Sequence, residues 1–254
     1  MKKTALFLAI SALGSAPAFA QFTNGGFEAG DTTGWSPTSS VQRSSVNNTN
    51  LTPNWITTQY ASSPAPQHSA IVTTADVDPH VGALMGSLVQ SGNYAYRVED
   101  TNSGGYASVI SQSVSNYQDA NIFFAWKAVL LGAHGANSAA TMKITLTDDT
   151  LGTTLLSREY NAASGGSGVD PRFSLFQNNY YTAQWQVESI ALGAAVGHDI
   201  TLSVLASDCS PTAHHGYVYL DGFGRSNPTP EPASLALLAA GLFGVAASRR
   251  RKAV

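Results

Sequence analysis

The chain has a single cysteine, Cys209, among 254 residues. No intramolecular disulfide can form, so its core must hold without covalent staples. Charge is also scarce: Asp, Glu, Lys and Arg make up 11% of the chain, less than half the usual share. Basic residues are scarcest. Between Gln21 and Asn227 seven Lys and Arg stand against fifteen Asp and Glu, a formal balance of −8. Such a body is a poor partner for nucleic acid or anionic lipid and is compatible with cation binding. There is no G-x-S-x-G, P-loop, H-E-x-x-H or Rossmann fingerprint, so the best-marked hydrolase, nucleotide-binding and metalloprotease classes have no support.

What is present is clearest at the two ends. Lys2 and Lys3 precede an apolar stretch from Ala5 to Leu13, and Ala18-Phe19-Ala20 forms an A-x-A cleavage site. This is the pattern of a signal peptide over residues 1–20, with Ala18 and Ala20 flanking the cut and Gln21 as the mature start. At the other end Pro230, Glu231 and Pro232 lead into an apolar run from Ala233 to Ala247. Arg249, Arg250, Arg251 and Lys252 follow at once. About 15 residues make a helix of ~22 Å, short of the ~30 Å hydrocarbon core, so the run is a marginal span. Its Ala and Gly content suits close packing against a membrane partner, and the cations should stay cytoplasmic.

These three parts in order resemble the PEP-CTERM sorting tail of exported proteins of Gram-negative bacteria. The resemblance covers residues 228–254 only. It implies that signal peptidase and the secretion machinery export the chain across the inner membrane. An exosortase-type membrane enzyme then acts near Pro-Glu-Pro, and the body, transiently anchored by the 233–247 helix, ends at the cell surface or in the matrix.

The body, residues 21–227, reads as strands. Tyr94, Tyr96 and Val98 alternate with Ala95, Arg97 and Glu99, and Ile122, Phe124, Trp126 and Ala128 with Phe123, Ala125, Lys127 and Val129. Met142, Ile144 and Leu146 continue the pattern before an Asp148-Asp149 turn, as do Trp185 with Val187, and Ile200, Leu202 and Val204. A last strand puts Tyr217, Tyr219 and Asp221 on one face and Val218 and Leu220 on the other. Period-2 alternation with Gly, Asn and Asp punctuation predicts an all-β, antiparallel sandwich built as one domain. The stretch from Asp31 to Gly92 predicts long loops with two short strands.

Two further segments carry a second resemblance. Asn24-Gly25-Gly26-Phe27-Glu28-Ala29-Gly30-Asp31 and Gly34-Trp35 stand near the mature start, and Tyr219-Leu220-Asp221-Gly222-Phe223 near the end of the body. Together they resemble the first and last strands of galactose-binding-like jelly rolls, the fold of many carbohydrate-binding modules. The resemblance implies adjacent terminal strands and a structural Ca²⁺ held by Glu28 and Asp221, with carbonyls near Asn24 or Gly26 and the Asp31 region. Oxygen ligands and flexible glycine backbone are what that ion requires. The alternative is a solvated Glu28 beside core aromatics.

Three other features bear on chemistry. Cys209 with a nearby histidine could be a nucleophile–base pair, and Cys209, His214 and Asp208 could be metal ligands. A buried structural cysteine, with histidines holding a loop, explains the same residues. An aromatic sugar platform would draw on Trp55, Tyr60, Tyr106, Tyr180, Tyr181 and Trp185, with the Tyr180-Tyr181 pair, in a loop-like stretch, and Trp185 foremost. The adjacent acidic pairs Glu99-Asp100 and Asp148-Asp149 point to opposite faces of a strand or to a turn, which is unsuited to paired-carboxylate hydrolysis. The expectation is a non-catalytic surface or matrix protein, structural or adhesive in association with exopolysaccharide. A dedicated sugar-binding module is the alternative and a secreted hydrolase the third reading.

Overall fold

The computed structural model describes residues 21–36, 39–163, 169–210 and 212–224. The leader, including Ala18 and Ala20, and the tail, including Pro230, Glu231, Pro232, Arg249, Arg250 and Arg251, lie outside the described residues. Twelve strands are present there: β1 (Ser39–Gln42), β2 (Ala70–Thr73), β3 (Tyr94–Val98), β4 (Tyr106–Val114), β5 (Asn121–Leu131) and β6 (Thr141–Asp148), then β7 (Thr153–Asn161), β8 (Ser174–Phe176), β9 (Asn179–Tyr181), β10 (Gln186–Ala191), β11 (Ile200–Ser207) and β12 (Gly216–Asp221). One helix, α1, spans Pro53–Ser62.

The strands form two antiparallel sheets, one ordered β1-β4-β11-β6-β7 and the other β2-β3-β12-β5-β9-β8, with β10 also paired to β5. Eight of them interleave as β4-β11-β6-β7 facing β3-β12-β5-β10. That is the two-sheet jelly-roll arrangement, so the fold class is the one expected.

The alternating faces meet as predicted. Ile122, Phe124, Trp126, Ala128 and Leu130 of β5 point inward, none more than 1% exposed. The first four meet Ile110, Met142, Ile144, Leu146, Leu202 and Val204 from the opposite sheet, and Leu130 packs on Ala140 and Ala162. Each large apolar side chain so buried contributes roughly 1.5–3 kcal/mol, which is how a chain without disulfides holds together.

The outer faces are covered too. Helix α1 caps one half of the five-stranded sheet, where Leu51 and Ile56 pack on Val41, Val109 and Leu205. Thr52 accepts from the Trp55 N–H (3.1 Å) and Pro53 opens the helix, a start signal set between sparse apolar residues. On the seven-stranded sheet, Val81, Met85, Leu88 and Val89 of the segment before β3 cover Val129, Tyr217 and Tyr219. The 31–92 stretch thus contains the two short strands expected of it, and a helix besides.

Two expectations need correction. Residues 21–36 form no strand: they are a series of turns, with Asn24 (φ 50°) and Phe27 (φ 56°) in the left-handed region. This segment nevertheless lies beside the end of β12, where the Phe223 N–H donates to the Gly25 carbonyl (2.8 Å). Any Cβ at Gly25 would sit 2.2 Å from the Phe223 carbonyl oxygen, so only glycine permits the approach. Second, Val187 belongs to the outer face and is 46% exposed. The inward positions of β10 are Glu188 and Ile190, and Glu188 is accommodated because the Trp126 indole N–H (3.0 Å), Arg158 and Arg172 all donate to it.

Candidate functional site

The two carboxylates singled out near the ends of the body do converge. The Glu28 carboxylate accepts from the N–H groups of Asn93 and Tyr94 (3.0–3.1 Å), and Asp221 Oδ2 from those of Gln90 and Ser91 (2.9 and 3.0 Å). Both therefore grip the 90–94 turn that leads into β3. Gly26 lies between them: its Cβ position is 3.5 Å from Asp221 Oδ1 and 3.7 Å from the Glu28 Cγ. Asp221 is fully buried and its Oδ1 has no hydrogen-bond partner. Burial pushes its carboxyl up to about 7, the Glu28 charge adding to the effect. A buried carboxylate oxygen left unpaired beside a second carboxylate is a donor set that fits a hard cation. Asp31 is not part of this arrangement. Its Oδ1 instead accepts from the Thr33 N–H (2.9 Å), and the Asn24 amide donates to its backbone carbonyl (2.9 Å).

An aromatic cluster anchors the same corner. Phe27 stacks on Trp35 (5.3 Å) and Tyr96 (5.2 Å), Trp35 meets Phe223 edge-on (4.6 Å), and Phe223 stacks on Phe124 (5.0 Å). Gln112, an inward polar residue of β4, closes the corner by donating to the Thr23 carbonyl (2.9 Å) and accepting from its N–H (2.5 Å).

The candidate sugar platform is not assembled as an exposed pair. Tyr180 and Tyr181 are successive residues of β9 and so point to opposite faces. Tyr181 is 7% exposed, among Val129, Tyr217 and Tyr219, while Tyr180 packs beside Leu130 and Ala140. Trp185 is half-buried beneath the Lys127 ammonium, 5.5 Å from its ring centre. Among the described residues no aromatic is found with the exposed large apolar side chains, which are Val and Leu. One open groove carries several polar side chains. It measures about 540 Å³ and lies between the first turn of α1 and β4, with Asn54, Thr57, Ser111, Gln112 and Ser113 in its lining.

The acidic pairs serve local structure. Asp148 accepts from the Leu151 N–H (3.1 Å) in the β6–β7 turn and pairs with His198 (2.7 Å). Buried Glu99 accepts from the Ser108 hydroxyl (2.6 Å) and contacts His68 Nδ1 (2.6 Å), which holds the His68 ring above its ordinary value.

Around Cys209 the structure adds a residue that sequence did not suggest. His134, from the β5–β6 connection, reaches the thiol with Nδ1 at 3.4 Å, and His214 Nδ1 lies 3.2 Å from it. Asp208, weighed as a third ligand, is turned elsewhere. Its Oδ2 accepts from the N–H groups of Gly104, Gly105 and Tyr106 (2.8–3.2 Å) and its Oδ1 from Gly216 (3.1 Å). His215 also faces away, against Asn179 Oδ1 (2.8 Å), and stacks on His80.

With this geometry in view, comparison with known proteins adds one assignment. Residues 228–252 match the PEP-CTERM protein-sorting motif. The chain carries an exosortase sorting signal. The motif implies export, a transient C-terminal membrane anchor and processing by an exosortase. No curated protein sequence matches the chain. Among solved structures, it is similar to TmCBM61 in complex with β-1,4-galactotriose (13% identity, 80% of this chain and 96% of that one, TM-score 0.39). It is also similar to Caldicellulosiruptor saccharolyticus CBM27-1 in complex with mannohexaose (10%, 78% and 93%, TM-score 0.37). A third is the K2 cleaved adhesin domain of Lys-gingipain (10%, 81% and 95%, TM-score 0.37). Likenesses at this level transfer no function.

Proposed function

We propose that the protein is a non-catalytic β-sandwich that the PEP-CTERM tail delivers to the cell surface or matrix, where it works as a structural or adhesive component with exopolysaccharide. The observation that carries this reading is the sorting motif at 228–252. The burial of the largest rings, Trp126, Tyr96, Tyr117, Tyr217 and Tyr219, supports a scaffold rather than an aromatic sugar platform. A structural Ca²⁺ belongs to the same reading. Glu28 and Asp221 would hold it, and its charge would offset the cost of burying the Asp221 carboxylate.

The test is fractionation of cells that express an exosortase, comparing the full chain with a variant lacking residues 228–254. The full chain should lose its tail and enter the surface or matrix fraction, and the truncated chain should be released. An unchanged distribution would overturn the reading. A second reading, a sugar-binding module, is favoured by the groove between α1 and β4, whose hydroxyl and amide side chains suit a polyol. Glycan-array screening separates the two: a ligand lost on altering Asn54 or Ser111 selects the module.

A further inference from the structure

We infer that Cys209, His134 and His214 form a binding site for a thiophilic transition-metal ion of the zinc class, at the end of the sandwich opposite the Glu28–Asp221 corner. Three side chains from two separate connections bring one sulfur and two imidazole nitrogens together, all within 4.8 Å of one another. The Sγ···Nδ1 distances are 3.4 Å to His134 and 3.2 Å to His214. In a tetrahedral zinc site the sulfur–nitrogen edge is about 3.6 Å, from Zn–S and Zn–N bonds of about 2.3 and 2.05 Å. The existing spacing is therefore close to that of a ligand set around an ion. The two rings are 4.6 Å apart and inclined at 50° to one another.

The surrounding chain fixes this geometry. The Cys209 N–H donates to the His214 carbonyl (2.9 Å), closing the 209–214 loop and holding its first and last residues together. A Cβ at Gly132 would lie 3.0 Å from His214 Cδ2, so the glycine leaves room for the ring. Cys209 is buried, His214 half-buried and His134 exposed. The site is thus closed on the sulfur side and opens to solvent past His134.

Three protein ligands leave a fourth position for water or an exogenous ligand, the pattern of open rather than closed zinc sites. One sulfur with two imidazoles selects borderline-soft ions over Ca²⁺ or Mg²⁺. On binding, the thiol proton, now held toward the Thr212 carbonyl (3.2 Å), passes to solvent and the thiolate lone pair forms the metal–sulfur bond.

Cobalt(II) titration of the purified full-length chain tests the inference, because a thiolate–cobalt bond gives a near-ultraviolet charge-transfer band that oxygen ligands do not. One equivalent should develop that band together with tetrahedral visible bands, and zinc should bleach both. Cys209→Ser should abolish the band. His134→Gln, at an exposed position, should leave the metal-free melting temperature unchanged and weaken cobalt binding at least tenfold. Absence of the band in the native chain, or unchanged affinity in His134→Gln, would overturn the inference.

Discussion

Arg43 offers the sharpest test of how this sandwich is held together. It follows β1, is fully buried, and binds parts of the chain far apart in sequence. Its Nε donates to the Val46 carbonyl (2.8 Å), and its Nη1 to the carbonyls of Ala139 (2.9 Å) and Asp208 (2.5 Å). Its Nη2 donates to Asn48 Oδ1. Burial pushes the guanidinium down to about 10, so it remains charged at neutral pH. Arg43→Met keeps most of the volume and removes every one of these donors. Each charge-assisted bond contributes roughly 1.5–3 kcal/mol, while the relief of desolvation returns about 3 kcal/mol. With the four bonds at the lower end of that range, about 1.5–2 kcal/mol each, the expected net loss is about 3–5 kcal/mol. In urea titration of the purified protein, with a slope of roughly 2 kcal/mol/M, the midpoint should fall by about 1.5–2.5 M. Arg43→Lys should recover less than half of this, because an ammonium cannot reproduce the planar fork. A loss below about 1 kcal/mol for the Met variant, or full rescue by Lys, would refute the assignment of Arg43 as the tie between the β1, β5–β6 and β11 ends.

Two further outcomes follow from named contacts. Glu28→Gln and Asp221→Asn keep acceptors for the 90–94 turn while weakening the proposed cation site, so each should lower the melting temperature in millimolar calcium but hardly in chelator. Equal losses in both buffers would remove the ion. His68 is raised by its hydrogen bond to Glu99, so its contribution is fully present below its ordinary value near 6.5 and is lost as pH climbs through the raised folded value. The stability gap between the native chain and His68→Gln should therefore shrink from pH 6 to 8 in denaturant titrations, and a gap that widened would exclude the pairing.

Much of the fold was legible because strand periodicity is local. The two faces of β12, with Tyr217, Tyr219 and Asp221 opposite Val218 and Leu220, follow from alternation alone, as do those of β5. Charges at inward positions break that logic. Glu188 is an inward carboxylate, and only Arg158, Arg172 and Trp126 arriving from β7, the 170s loop and β5 make its burial tolerable. The 24–31 motif pointed to the right corner, but its glycines and the positive φ of Asn24 and Phe27 make turns where a strand was expected. Glu28 and Asp221 could be paired in advance because a resemblance joined the ends of the body. His134 could not be linked to Cys209, since no local pattern connects residues 75 apart.

The placement of the two proposed ion sites leads to a last prediction. β12 starts beside the Cys209–His214 loop and ends at Asp221, so its six residues separate the clusters by about 17 Å at ~3.4 Å per step. Perturbations that far apart with no shared partner should act independently, within about 0.5 kcal/mol. Asp221→Asn should therefore leave the cobalt charge-transfer band and its affinity unchanged, and His134→Gln should leave the calcium-dependent melting shift unchanged. The double variant should lose both by the amounts of the single variants. Coupling beyond that margin would mean that β12 and its neighbours transmit strain from one end of the sandwich to the other. The two clusters would then have to be treated as one site rather than two.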